Sequence, residues 1–126
     1  MLKKAFYLTA VLNVFAAIHA VTMPDQSRML LFGQALPFDE AARTTHQLMW
    51  LFVGLFGVGY FKAAREERYV EPLLLLGGCG KLLAAIVWLT AVIGGVHSLF
   101  LIQGILFDGL LGLYFVVTLW RRTQAR

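Results

Sequence analysis

Residues 72–120 read PLLLLGGCGKLLAAIVWLTAVIGGVHSLFLIQGILFDGLLGLYFVVTLW, two long apolar runs separated by a short glycine-containing link at residues 94–98. Crossing the hydrocarbon core of a bilayer, about 30 Å thick, takes about 20 apolar residues in a helix. Both runs reach that length, and neither alternates apolar and polar residues as the strands of a membrane barrel do. The short link predicts that the two helices are antiparallel neighbours.

The composition of the whole chain also indicates a membrane protein. Hydrophobic residues make up 60% of the 126 residues and charged residues only 14%, a balance outside that of ordinary soluble domains. We predict an all-α integral membrane protein, an antiparallel four-helix bundle that forms a single transmembrane domain over residues 1–126. Its helices are predicted at about residues 5–23, 45–63, 72–95 and 98–120. The apolar stretches of residues 24–44 are too short to cross a bilayer and predict an outer interfacial segment.

Local signals mark the ends of the first two helices. Pro24 is expected to end the first helix, since proline cannot continue it. Asp39 is a good N-cap, so the second helix is predicted to begin before the membrane. Lys3 and Lys4 before the first apolar run also fit a secretory signal peptide, but the apolar core of such a peptide is shorter than this run. A transmembrane helix is therefore the preferred interpretation.

The basic residues are distributed unequally between the two sides of the predicted helices. Arg28 and Arg43 lie on one side, and Lys81 lies within a helix. The other eight lie on the opposite side: Lys3, Lys4, Lys62, Arg65, Arg68, Arg121, Arg122 and Arg126. Since Lys and Arg are enriched in cytoplasmic loops, we expect a multi-pass protein of the cell inner membrane with cytoplasmic N and C termini. The formal net charge of +4 then reflects topology, and the expected partner is the lipid bilayer, not nucleic acid.

Two opposite charges lie inside the third and fourth predicted helices. At about 1.5 Å per residue, Lys81 lies about 22 Å and Asp108 about 18 Å from Val96 in the link. A lysine side chain can bridge that difference, and a lone charge at this depth costs about 2.5 kcal/mol or more. We therefore predict an ion pair near the bilayer midplane. Asn13, at mid-depth in the first helix, is a third intramembrane polar candidate, and its simplest role is one interhelical hydrogen bond.

The ion pair has two interpretations. In the first, it is a structural clasp that holds the register of the third and fourth helices. In the second, Lys81, Asp108 and Asn13 form a site for a proton or a small molecule, because intramembrane ionisable groups commonly mark functional sites. Gly104 and Gly112 lie four residues to either side of the acid, and small residues at this spacing allow close helix approach on the same face.

The three histidines fall near the outer side of the predicted bundle, at His19, His46 and His97. Neutral imidazole binds zinc, copper and iron, so one interpretation is a metal site, or a haem held between His19 and His46. Another is contact with a proton or a quinone headgroup. None of the three lies in a tight spacing such as His-x-x-x-His, and a histidine at the membrane boundary commonly serves as a polar anchor. No cofactor is strongly implied.

The sequence predicts no catalytic residues. Cys79 is the only cysteine, which excludes an intramolecular disulfide and dithiol redox chemistry. No glycine-rich phosphate loop follows a strand, and no Ser/His/Asp arrangement is visible. These observations favour a protein that is not an enzyme.

The third and fourth predicted helices contain a characteristic series of residues: Gly78-Cys79-Gly80-Lys81, then Trp88, the glycine-containing link, Asp108 and Arg121-Arg122. This layout resembles small bacterial four-helix inner-membrane proteins of the DoxX-like type, many of them uncharacterised. The topology matches over the whole chain, and the residue-level match covers about residues 77–122. The resemblance implies a link to quinone-dependent sulfur oxidation and redox homeostasis. Among the candidate site residues, only Lys81 and Asp108 match residues of this family, and the resemblance implies a role for these two alone.

Possible protein partners are further copies of the chain or a larger membrane complex. Three hypotheses of function follow. The first hypothesis is an accessory or small-molecule-binding subunit with a buried Lys81–Asp108 pair. The second is a homodimeric transporter in which Asp108 binds the coupled proton or cation. The third is a redox subunit that holds haem, a metal or a quinone through the outer histidines.

Overall fold

The structure is a computed structural model that describes residues 1–33 and 39–125. These residues form five helices: α1 (Leu2–Thr22), α2 (Pro24–Phe32), α3 (Glu40–Arg65), α4 (Val70–Ile93) and α5 (Leu99–Gln124). A single turn of 3₁₀ helix, Glu67–Tyr69, precedes α4. The helices α1, α3, α4 and α5 are long and apolar enough to cross a membrane. Within the described residues, the prediction of an all-α protein with four helices long and apolar enough to span a membrane is therefore confirmed.

Two helices, α3 and α5, extend several residues beyond the apolar runs. The Asp39 carboxylate accepts a hydrogen bond from the Ala42 backbone N–H at 2.7 Å, so α3 begins at Glu40, before the apolar run. This early start agrees with the capping signal in the sequence. At the other end of the chain, α5 continues to Gln124, four residues past the predicted limit at Trp120. Hydropathy identifies only the segment of a helix that is apolar enough for lipid. The start of α3 is set instead by the Asp39 cap, which lies outside that segment.

The predicted interfacial segment, residues 24–44, begins with a helix of its own. Pro24 occupies the first turn of α2, where its missing N–H needs no partner. Gly33 ends the helix with a left-handed backbone at φ 64°. The nine residues of α2 span about 13 Å, too little to cross a bilayer. Residues 34–38 of this segment, and Arg126, lie outside the described residues.

The helices form two units, Met1–Glu66 and Glu67–Arg126. In the first unit α1 packs along α3, and α2 contacts both. In the second unit α4 packs along α5. Each unit thus pairs two membrane-length helices that follow one another in the chain, with the short helix α2 between them in the first unit.

Small residues bring α1 and α3 together in the first unit. A Cβ atom on Gly57 would lie 3.1 Å from the carbonyl oxygen of Ala10, and one on Gly54 would lie 2.9 Å from Cβ of Ala17. Nearer the other end of the same interface, the rings of Phe6 and Tyr60 stack with centroids 5.9 Å apart. Close backbone approach of this kind is the usual basis of helix association in lipid.

The second unit uses glycines in the same way. A Cβ atom on Gly112 would lie 3.0 Å from the carbonyl oxygen of Gly78 and 3.0 Å from the backbone nitrogen of Leu82. Gly104 faces the indole of Trp88. The small-residue face predicted on α5 is therefore confirmed as a helix contact.

Large apolar side chains cover the outward faces of the long helices. Phe15, Leu55, Leu83 and Leu110, one from each, are exposed by 73, 65, 62 and 69%. Large apolar side chains exposed on each unit are unfavourable in water and favourable in a lipid environment. The composition and exposure of these helices indicate a multi-pass membrane protein.

Candidate functional site

The helices α4 and α5 bring Lys81 and Asp108 into direct contact. The Lys81 Nζ atom lies 2.5 Å from Oδ1 of Asp108. The two side chains are only 9% and 15% exposed, so the contact is shielded on most sides. A hydrogen bond between two ionised groups is shorter and stronger than one between neutral groups. The expected ion pair is present within the second unit.

The packing around the pair explains why the two charges meet. Asp108 lies between Gly104 and Gly112, two α5 glycines that approach α4 closely. Because these glycines allow the helices to approach closely, the lysine stem spans the interface and its ammonium group reaches the carboxylate. The low dielectric of such an interface strengthens the attraction and also raises the penalty for leaving either charge alone.

Asn13, the third predicted member of this site, belongs to the first unit. It lies on α1 beside α3, with its Cβ 3.1 Å from the position that a Cβ on Gly57 would occupy. Its side chain is half-buried. The convergence of Asn13 with Lys81 and Asp108 stays a prediction.

Two of the three histidines lie in a polar cluster that α2 forms with α1 and α3. Three consecutive residues of α2 each contact a different partner. Asp25 pairs with Arg43 at 3.1 Å, Gln26 Oε1 lies 3.4 Å from His19 Nε2, and Ser27 Oγ lies 3.1 Å from His46 Nε2. Ser27 and His46 are buried, whereas the other contacts are exposed. The cluster holds a short helix across the ends of two long ones.

Sequence reasoning identified both histidines but missed Gln26 and Ser27. The polar run Asp25-Gln26-Ser27 directly after Pro24 was the available signal, because proline is favoured at the start of a helix and these residues then form its first turn. Since His19 and His46 each direct Nε2 at a residue of α2, their simplest role is to anchor that helix.

The histidine arrangement gives limited support to a metal centre. Within residues 1–33 and 39–125, no group of three or more His, Cys, Asp or Glu side chains could hold a metal ion. His97 is exposed in the loop between α4 and α5, in the second unit. The site with the most distinctive geometry is therefore the Lys81–Asp108 pair.

Comparisons of the chain with protein-family models, with curated proteins and with solved structures found no match. The resemblance to DoxX-like proteins therefore stays a prediction. The buried ion pair and the polar cluster are therefore the features that bear on function.

Proposed function

We propose that the protein is a non-enzymatic, multi-pass protein of the inner membrane that acts as an accessory or small-molecule-binding subunit. The observation that carries the proposal is the contact of Lys81 with Asp108 at 2.5 Å, with both side chains mostly buried. In this proposal the pair clasps α4 to α5 and gives the subunit one defined register. The resemblance to DoxX-like inner-membrane proteins agrees with this location.

The geometry of the pair favours a clasp over a transporter. A carrier that binds its coupled cation at Asp108 must first separate this carboxylate from the Lys81 ammonium. That separation leaves a lysine charge within the apolar interface, at a cost of about 2.5 kcal/mol or more. A permanent pair avoids this penalty and cancels both charges inside the membrane.

The polar cluster likewise favours an anchoring role for the histidines over a redox role. His46 is buried against Ser27 with 3.1 Å between Nε2 and Oγ. A metal or haem bound at Nε2 would have to displace this contact and move α2. The proposal therefore includes no haem, metal or quinone at His19 or His46.

An antiparallel four-helix bundle with both termini in the cytoplasm completes the proposal. The partner of each α5 glycine supports it, since Gly104 faces Trp88 whereas Gly112 faces Gly78 and Leu82. Residues later in α5 thus contact residues earlier in α4, as antiparallel helices do. The distribution of basic residues supports the orientation, because Lys3, Lys62 and Arg121 all belong to segments that the positive-inside rule assigns to the cytoplasm.

This orientation predicts the behaviour of fusions made at the C terminus. A green fluorescent protein fused after Arg126 is expected to fluoresce, because it folds in the cytoplasm, whereas alkaline phosphatase at the same place is expected to be inactive. The matched control places both reporters after Gly95, in the α4–α5 loop, where the two results are expected to reverse. Active phosphatase at the C terminus would contradict the orientation.

Native mass spectrometry of the protein, extracted gently from its own membrane, tests the proposed function. We expect a partner subunit or a bound small molecule, with an absorption spectrum that shows no haem. A preparation that contains haem, a metal ion or a quinone, and loses it when His19, His46 and His97 are all replaced, would establish the redox hypothesis instead. A bare monomer or dimer would contradict the accessory and small-molecule-binding roles.

A further inference from the structure

One end of the first unit is strongly basic. The rings of Tyr7 and Phe61 meet edge to face with centroids 5.6 Å apart, which brings the start of α1 beside the end of α3. Four exposed basic side chains lie at this end, here called the basic end: Lys3, Lys4, Lys62 and Arg65. Glu66, 3.5 Å from Lys62, is the one acidic residue of the unit at this end. The first turn of α1 contains no acidic residue.

The opposite end of the same unit has a different balance of basic and acidic residues. It contains two basic residues and three acidic ones: Arg28, Arg43, Asp25, Asp39 and Glu40. Arg43 forms ion pairs with Asp25 and Glu40, at 3.1 and 3.9 Å, so positive charge at this end is offset locally. Positive charge is therefore concentrated at a single end of the unit.

Exposed aromatic rings accompany the positive charge. Tyr7 and Phe61 are 40% and 44% exposed, and the Arg65 guanidinium lies over the Phe61 ring, 5.6 Å from its centroid. Aromatic rings favour the headgroup level of a bilayer. A guanidinium stacked on a ring still directs its N–H groups outward, in the planar fork that matches a phosphate.

We infer that the basic end binds the headgroup phosphates of acidic phospholipids. Groups of four or more Lys and Arg residues directly beside a membrane helix recruit anionic lipids, each residue adding about 1 kcal/mol. The basic end supplies four such residues, of which Lys62 pairs with Glu66, together with the exposed rings of Tyr7 and Phe61. The inference rests on the membrane location in the proposed function, and it is independent of the Lys81–Asp108 pair and of the histidines.

Native mass spectrometry in detergent with an equal mixture of phosphatidylglycerol and phosphatidylethanolamine tests this inference. We expect the protein to retain phosphatidylglycerol preferentially. Arg65→Gln is expected to weaken that preference about five-fold, the equivalent of about 1 kcal/mol, and Lys3→Gln combined with Lys4→Gln to weaken it further. Arg65→Lys, which keeps the charge, is expected to retain most of it.

Arg28→Gln is the matched control, since it removes one positive charge at the opposite end. It is expected to leave the lipid preference unchanged. Equal retention of the two lipids by the unaltered protein, or equal losses in Arg28→Gln and Arg65→Gln, would overturn the inference. Circular dichroism of each variant confirms that it is folded. A failure of the proposed function appears separately, in the reporter fusions and in the subunit composition.

Discussion

The change Asp108→Leu is expected to lower the free energy of unfolding by about 3–5 kcal/mol, because it leaves the buried Lys81 ammonium without its partner. Lys81→Met is expected to cost a similar amount, for the corresponding reason. The double variant removes both charges and is expected to recover most of the loss, since apolar side chains of similar size suit this interface. Unfolding by sodium dodecyl sulfate in mixed micelles, followed by circular dichroism, measures all three.

Gln103→Leu is the control for these variants. It replaces another polar side chain of α5 with leucine, but at an exposed position, so we expect almost no change in stability. Single variants as stable as the control would contradict a structural clasp. A double variant that folds normally but no longer retains the small molecule found with the unaltered protein would show that the pair is a binding site.

The second large effect is expected at Gly112. Gly112→Ala is expected to lower the free energy of unfolding by about 1–3 kcal/mol, the usual range for overpacking a tight interface. The added Cβ would lie 3.0 Å from the Gly78 carbonyl oxygen and 3.0 Å from the Leu82 nitrogen, both backbone atoms that no side-chain rotation can move away. The same titration with sodium dodecyl sulfate measures the change.

Gly109→Ala provides a matched control on the same helix. Its Cβ would meet only Cβ of Ala85, at 3.9 Å, which is ordinary van der Waals contact. Both variants gain the same helix propensity, up to about 1 kcal/mol, so the difference between them isolates the steric effect. Equal stabilities would mean that α4 and α5 do not rely on close approach at Gly112.

The ion pair was predictable because its prediction required only distances along two helices. Rise per residue is nearly constant, so counting from the α4–α5 link gives the depths of Lys81 and Asp108 without any knowledge of packing. The penalty for a lone charge in lipid then requires a partner, and each was the other's nearest opposite charge at that depth. Counting along the helix cannot say which glycine of α4 meets Gly112. Gly77 and Gly78 lie at nearly the same depth but point in directions about 100° apart around the helix axis. The structure places Gly78 there.

The histidine contacts lay beyond such reasoning. His19 and Gln26 are seven residues apart with Pro24 between them, and His46 and Ser27 are nineteen apart. Whether these side chains meet depends on the angle at which α2 leaves α1, and that angle results from packing against α3. Hydropathy does not report it, because α2 is too short and too polar to carry a membrane signal.

Membrane helices are recognisable in this chain because every spanning segment must satisfy its own backbone hydrogen bonds and match the thickness of the bilayer. Those constraints act on local sequence, so the class and number of the membrane-length helices, and the pairing of Lys81 with Asp108, could be read directly from the residues. The contacts of α2, the glycine partners and the extended end of α5 involve residues distant in the chain or outside the apolar core. They were decided by three-dimensional packing, since side chains that meet across an interface satisfy one another in ways that no single segment specifies.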